Sequence, residues 1–342
     1  MTMPAPDTSL PNAVRTDPGT HAPAPGPALR FVQSGAVRLL VKTWGDPARR
    51  AIVLVHGYPD NSTVWHGVAR LLANDYYVVA YDVRGAGGSS APKGVPAYRL
   101  ARLTEDFSAV IDAVSPDAPV HLVGHDWGSI QCWEFVTEAR LHGRIASFTS
   151  CSGPCLDHVG YWMRGNRRLS LAALSRSLRQ MASSWYIYLF HLPWLPELGW
   201  RLWMGRAWPA YLKRSERIDA DPNPTQAADG RHGLALYRAN MLPRLFSPRE
   251  RHAHVPVQVI VPLLDRYVGP ALSEDLSRWV GRWWRREVRA RHWLPLADPA
   301  GMANMVKDLA GYIEGGPEPL ALRQARMPDG QGGGEGGTVR QA

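Results

Sequence analysis

The sequence predicts an α/β fold, a mostly parallel sheet flanked by helices and interrupted by a helical insertion. Three observations carry this expectation. Between residues 51 and 150, short continuously apolar runs alternate with amphipathic stretches, as when strands covered on both faces alternate with helices. From about 156 to 254 that rhythm stops, and the chain becomes dense in tryptophan and tyrosine without a buried strand. An apolar run at Val255–Leu264 then restores it.

Taken in order, residues 1–28 are rich in proline and alanine and are expected to form a disordered leader. Leu29–Ser34 and Ala36–Trp44 are β-rich runs joined around Gly35, which suggests a hairpin. Ala51–Val55 reads as a buried strand leading into His56-Gly57-Tyr58-Pro59, followed by a helix marked by Trp65, Val68, Ala69, Leu71 and Leu72. Tyr77–Tyr81 is the next strand, closed by the glycine-rich Asp82–Ser89 loop. That loop lacks the spacing of a phosphate cradle and is expected to be shaped by its acid and its base. Leu100–Val114 carries a helical apolar stripe that ends at Ser115-Pro116. Val120–Gly128 reads as strand then turn, Ile130 to Glu138 as helix, and Ile145–Ser150 as strand. After the insertion, the expected elements are a helix at Ala271–Val280, a short strand at Val288–Ala290 and a helix at Pro299–Ile313. A core of 29–155 and 255–315, an insertion of 156–254 lying over it as a lid, and a disordered tail of 316–342 complete the division.

Composition narrows the functional classes. A chain of 342 residues with 45% hydrophobic content can bury a large core. The formal charge of +9 comes from scattered arginines, and no zinc finger, basic zipper or RNA-reading motif accompanies it, so no nucleic-acid partner is expected. A solvated basic face is the favoured account, with weak attraction to anionic membrane surfaces the lesser one. Three cysteines, Cys132, Cys151 and Cys155, suit reduced thiols in the cytoplasm, and the amino terminus shows no signal-peptide pattern. The most apolar segment, Trp185–Trp203, is broken by His191, Pro193, Pro196 and Glu197 and is not expected to span a bilayer.

The chemistry centres on Gly124-His125-Asp126-Trp127-Gly128. Small residues two before and two after Asp126 suit a nucleophile elbow, whose central side chain is pushed out above a sheet. An aspartate is ionised near neutral pH and can attack an electrophilic carbon directly, leaving an alkyl ester for a second step to hydrolyse. An ordinary turn is the bland alternative for the pentapeptide alone. Asp265, just past the Val257–Leu264 run, and His292, after the last short strand, supply an acid and a base in the chain order nucleophile, acid, histidine. His292 would draw a proton from water, and the backbone N–H groups of Tyr58 and Trp127 would hold the resulting oxyanion. Twelve histidines are present, so position relative to both acids is what singles out His292.

Together, His56-Gly57-Tyr58-Pro59, Asp82-x-Arg84-Gly85-x-Gly87-x-Ser89, Gly124–Gly128, Asp265 and His292 resemble the α/β-hydrolase-fold epoxide hydrolases over roughly residues 29 to 313. The resemblance is closest to the hydrolase half of mycobacterial proteins that join an epoxide hydrolase to a short-chain dehydrogenase. It implies a cofactor-independent conversion of a hydrophobic epoxide and water to a vicinal diol, without a metal. It also implies two lid tyrosines that donate hydrogen bonds to the epoxide oxygen. Tyr237 resembles one, and Tyr186 the other, with Tyr188 as its rival. Ser129 and Leu264 stand where the family often has glycine nearby. Haloalkane dehalogenases share the aspartate and the following tryptophan but often carry asparagine where Tyr58 stands. A non-catalytic binding protein of the same fold would be expected to lack a triad member.

Overall fold

The computed structural model describes residues 26–169 and 185–330, with side chains described outside 166–169. The leader expected at 1–28 therefore falls almost wholly outside the described residues, as do 170–184 of the insertion and 331–342 of the tail. An eight-stranded sheet forms among the described residues. Its strands are β1 (Ala28–Ser34), β2 (Val37–Trp44), β3 (Ala51–Val55), β4 (Tyr77–Tyr81), β5 (Val120–His125), β6 (Ile145–Cys151), β7 (Val257–Pro262) and β8 (Trp283–Val288). The spatial order is β1-β2-β4-β3-β5-β6-β7-β8, and only β2 opposes its neighbours. The predicted hairpin is β1 and β2, paired from Ser34 with Val37 outward to Ala28 with Thr43.

Alternation along the strands divides the core into two layers. Val53 and Val55 of β3 pack with Phe107, Val110 and Ile111 of α2 (Leu100–Val114) and Phe135 of α3 (Trp127–Phe135). Ile52 and Leu54 face the other way, onto Val68, Ala69 and Leu72 of α1 (His66–Leu72) and Met302 and Val306 of the closing helix Pro299–Ile313. The Asp82–Ser89 loop is shaped as expected. Asp82 accepts from Ser62 N and Gly88 N, and Arg84 makes two 2.6 Å contacts to the buried Asp106 carboxylate.

Between β6 and β7 lie α4 (Leu156–Leu169), α5 (Trp185–His191), α6 (Leu195–Gly199), α7 (Gly205–Tyr211) and α8 (Gln226–Phe246), with a π-helical turn at Trp200–Met204. The long α8 is the hub, in contact with each of the others. Among the described residues, no helix is long and apolar enough to cross a membrane.

Three expectations need correction. Ala271–Val280 is not one helix but two 3-10 turns, Pro270–Ser273 and Leu276–Arg278, which bury Leu276 and Trp279 at the three-residue spacing that such turns bring into line. The last strand is Trp283–Val288 rather than Val288–Ala290. Its arginines disguised it, but Trp283 and Trp284 are fully buried and Arg286 reaches Asp308 at 2.8 Å. The tail is ordered beyond 316 within the described residues. Helix α11 (Leu320–Gln324, after the short α9 at Leu294–Ala297 and α10 at Pro299–Ile313) buries Leu322 against Trp284 and Leu309, and Met327 N donates to Trp283 O at 3.1 Å.

Candidate active site

Asp126 stands between the end of β5 and the start of α3 with a left-handed φ of 52° and ψ of −124°. A non-glycine residue in that region is strained and persists only where its surroundings hold it. The glycines around it explain how. A Cβ on Gly124 would come within 2.6 Å of Ser129 Cα, and one on Gly128 within 2.0 Å of the Val55 carbonyl oxygen. Strand, turn and helix therefore approach more closely than any side chain allows.

The two oxygens of Asp126 have different neighbours. Oδ1 accepts the Tyr58 N–H at 2.7 Å, whereas Oδ2 lies 3.5 Å from His292 Nε2. Trp127 is the first residue of α3, so its N–H is one of the helix-start donors without an intrahelical acceptor. The loop that carries Tyr58 is fixed by His56. Its Nε2 accepts Val83 N–H at 2.9 Å, which leaves Nδ1–H to donate to Gly57 O at 2.9 Å. Burial lowers the His56 pKa and so favours that neutral form.

His292 Nδ1–H donates to Asp265 Oδ2 at 2.8 Å, and Asp265 Oδ1 accepts from Tyr267 N at 2.8 Å and Val268 N at 3.1 Å. Burial opposes the Asp265 charge, yet His292 and those two N–H groups outweigh it and hold the pKa below the ordinary value. At His292 burial opposes the imidazolium, but the Asp265 and Asp126 carboxylates together push its pKa well above the usual histidine range. Behind it, His125 Nε2–H donates to the His292 carbonyl at 2.8 Å, and burial lowers the His125 pKa to about 4.

Above these groups lies a cavity of about 530 Å³, lined by Asp126 and His292 below and by Tyr186, Trp200 and Tyr237 of the insertion above. A second cavity of about 110 Å³ shares Asp126, Tyr186 and Tyr237 and continues toward Leu156, Met241 and Leu245. Asp126, Tyr186 and Tyr237 thus sit where an aromatic space meets a more aliphatic one. The Tyr237 ring is buried 4.9 Å from Trp127 and 5.2 Å from Tyr58, and Tyr186 lies 6.2 Å from Tyr237. Burial raises both phenols above their ordinary pKa, so they face the site as neutral donors. Tyr188 is 55% exposed and reaches only the smaller cavity.

All seven residues singled out in the sequence meet here: Tyr58, Asp126, Trp127, Tyr186, Tyr237, Asp265 and His292. Sequence reasoning missed three neighbours. Asp60 accepts Trp293 Nε1–H at 2.8 Å, and burial pushes its pKa up to about 7 against that hydrogen bond. Tyr267 and Trp293 set their rings 4.8 Å and 4.6 Å from His292. Their signal was proximity in sequence, since Asp60 directly follows the His-Gly-Tyr-Pro motif, Trp293 directly follows His292 and Tyr267 lies two positions after Asp265.

Comparison with known proteins agrees with this geometry. Residues 50–299 match the alpha/beta hydrolase fold family. The chain is 38% identical over 322 residues to a Mycobacterium tuberculosis protein named probable oxidoreductase EphD, covering 89% of this chain and 53% of that one. It thus spans about half that relative's length. It is 30% identical over 296 residues to epoxide hydrolase A of Mycobacterium tuberculosis, covering 86% of this chain and 83% of the relative. In structure it resembles an epoxide hydrolase from Bacillus megaterium with a TM-score of 0.68 at 22% identity, over 82% of this chain and 100% of the other.

Proposed function

The chain belongs to the α/β-hydrolase-fold epoxide hydrolases, and from that membership we propose that it converts a hydrophobic epoxide and water to a vicinal diol through an alkyl ester on Asp126. The observation that carries the reading is the divided environment of the Asp126 carboxylate. Oδ2, free of the backbone donor, attacks an epoxide carbon, and the carbon–oxygen bond of the ring breaks. Tyr186 and Tyr237 hydrogen-bond to the leaving oxygen and supply its proton. His292 then takes a proton from water, whose oxygen attacks Cγ of the ester. Negative charge collects on Oδ1, between the Tyr58 and Trp127 N–H groups. The collapse of this intermediate expels the diol oxygen, which takes the proton held by His292, and the second proton of the water passes from the new carboxyl to the tyrosine, restoring both groups.

Residues 29–155 and 255–315 form the hydrolase core in this reading, and 156–254 act as its lid. Water and a small hydrophobic epoxide are the reactants, in keeping with the aromatic and aliphatic lining of both cavities. A cytoplasmic location is supported by the three buried free cysteines. The test is turnover of a terminal epoxide and of the matching 1-chloroalkane by the unaltered chain and by the Tyr186→Phe/Tyr237→Phe double variant. We expect diol from the epoxide alone, with turnover down about 100-fold or more in the variant, since general-acid donors contribute on that scale. Chloroalkane turnover that survives loss of both hydroxyls would refute the epoxide reading.

A further inference from the structure

Helices α5 to α7 carry an unusual surface. Trp185, Trp194 and Trp203 are 64%, 69% and 62% exposed, and Leu195, Leu198 and Leu202 are exposed beside them at spacings of three and four that align one helical face. Single exposed apolar residues are ordinary, but a contiguous set with three indoles marks a contact surface. Trp194 is held outward with φ 51° and ψ −27°, a conformation that bulky residues rarely adopt. The arrangement is rigidly placed, because Arg238 of α8 donates to Phe190 O at 2.8 Å, to Leu192 O at 2.7 Å and to the Glu197 carboxylate. Glu197 is the sole acid in residues 185–215, which also hold Arg201, Arg206 and Arg214, and Lys213, which pairs with Asp219 at 3.0 Å. With Glu197 neutralised by Arg238, this face is apolar and basic. Trp185 and Trp203 also line the 530 Å³ cavity, so the exposed patch borders its mouth.

We propose that this face docks on the surface of an anionic lipid bilayer, and that the epoxide enters the cavity from the lipid past Trp185 and Trp203. Indoles prefer the boundary between headgroups and acyl chains, and arginines beside an apolar face bind anionic headgroups. The docking is independent of chemistry, whereas the delivery of substrate rests on the epoxide hydrolase reading.

The test uses the full chain with Asp126→Asn, mixed with vesicles of phosphatidylcholine alone or with about one third phosphatidylglycerol, and follows co-sedimentation and quenching of tryptophan by brominated lipid. Binding should favour the anionic vesicles and weaken in about 0.5 M salt. Trp194→Ser/Leu198→Gln/Leu202→Ser changes no cavity-lining residue. In the otherwise unaltered chain it should keep turnover of a water-dissolved short epoxide while vesicle partition and kcat/KM for a vesicle-embedded long-chain epoxide each fall about tenfold or more. Arg201→Glu/Arg206→Glu tests the charge independently and should abolish the preference for anionic vesicles. Equal partition of variant and parent, or no binding to either vesicle, would overturn the proposal. So would a dimer in sedimentation velocity that the triple variant dissociates, since a second copy would then cover the patch. Soluble-epoxide turnover without vesicle binding refutes docking alone; vesicle binding without turnover of any epoxide by the unaltered chain refutes the hydrolase reading instead.

Discussion

At Asp126 the oxygen held by Tyr58 N–H and the oxygen facing His292 have different surroundings, and the proton affinity of His292 follows from both acids around it. While Asp126 and Asp265 are ionised, they favour the imidazolium over the cost of burial. In the proposed cycle, ester formation removes the charge on Asp126, so His292 would bind its proton less tightly when a base is needed. Asp60 lies in the same field. Its carboxyl, pushed up to about 7 chiefly by burial, keeps a proton in the folded chain that the unfolded chain releases near pH 4. Stability should therefore fall as pH rises from about 4 to about 7, through the folded value. Denaturation at about pH 5 and about pH 8 should show the unaltered chain losing on the order of 1–2 kcal/mol relative to Asp60→Asn, after discounting for partial solvent access. Parallel pH dependence of the two proteins would contradict this. The triad was legible because its members follow strand ends in a recognisable order. Asp60 was not, since an acid after a loop motif looks solvated until Trp293, over two hundred positions on, closes over it.

At the scale of elements, the elbow depends on close backbone approach. Gly128→Ala would place a methyl 2.0 Å from the Val55 carbonyl and force α3 away from β3. We expect a loss of at least about 2–3 kcal/mol in chemical denaturation, the scale of overpacking in a tight core; a change within about 0.5 kcal/mol would show that the junction can relax. The same helix anchors the insertion. Glu134 of α3 meets Arg249 at 2.8 Å and Arg251 at 3.1 Å where the chain returns to the core, and Arg249 also pairs at 2.9 Å with Asp157, where the chain leaves it. Both ends of the insertion are thus tied to the far end of the helix that begins after Asp126. The glycines were visible in the sequence, because their spacing around Asp126 is local. The ion cluster was not, because Glu134, Asp157 and Arg249 are distant in the chain and each alone reads as a surface charge.

Across the whole molecule, continuously apolar strands alternating with long amphipathic helices made the parallel core readable from β3 to β6 and again at β7 and α10. What escaped were elements whose character comes from their neighbours. The edge strand β8 carries Arg286, which pairs with Asp308 of α10, and Arg285, which pairs with Glu287 of the strand itself, and α11 is a five-residue helix held by Leu322 in a pocket made by Trp284 and Leu309. The insertion was legible as helical and aromatic, and its packing over the strand ends encloses the two cavities at Asp126. The proposed reaction requires that a carboxylate oxygen of the protein, rather than water, first bonds to the epoxide carbon. Its most direct test is a single turnover in ¹⁸O water with protein in excess over epoxide, followed by mass analysis of the Asp126 peptide and the diol. The ester route places ¹⁸O in the Asp126 carboxylate and unlabelled oxygen in the diol; ¹⁸O in the diol with an unlabelled peptide would contradict it.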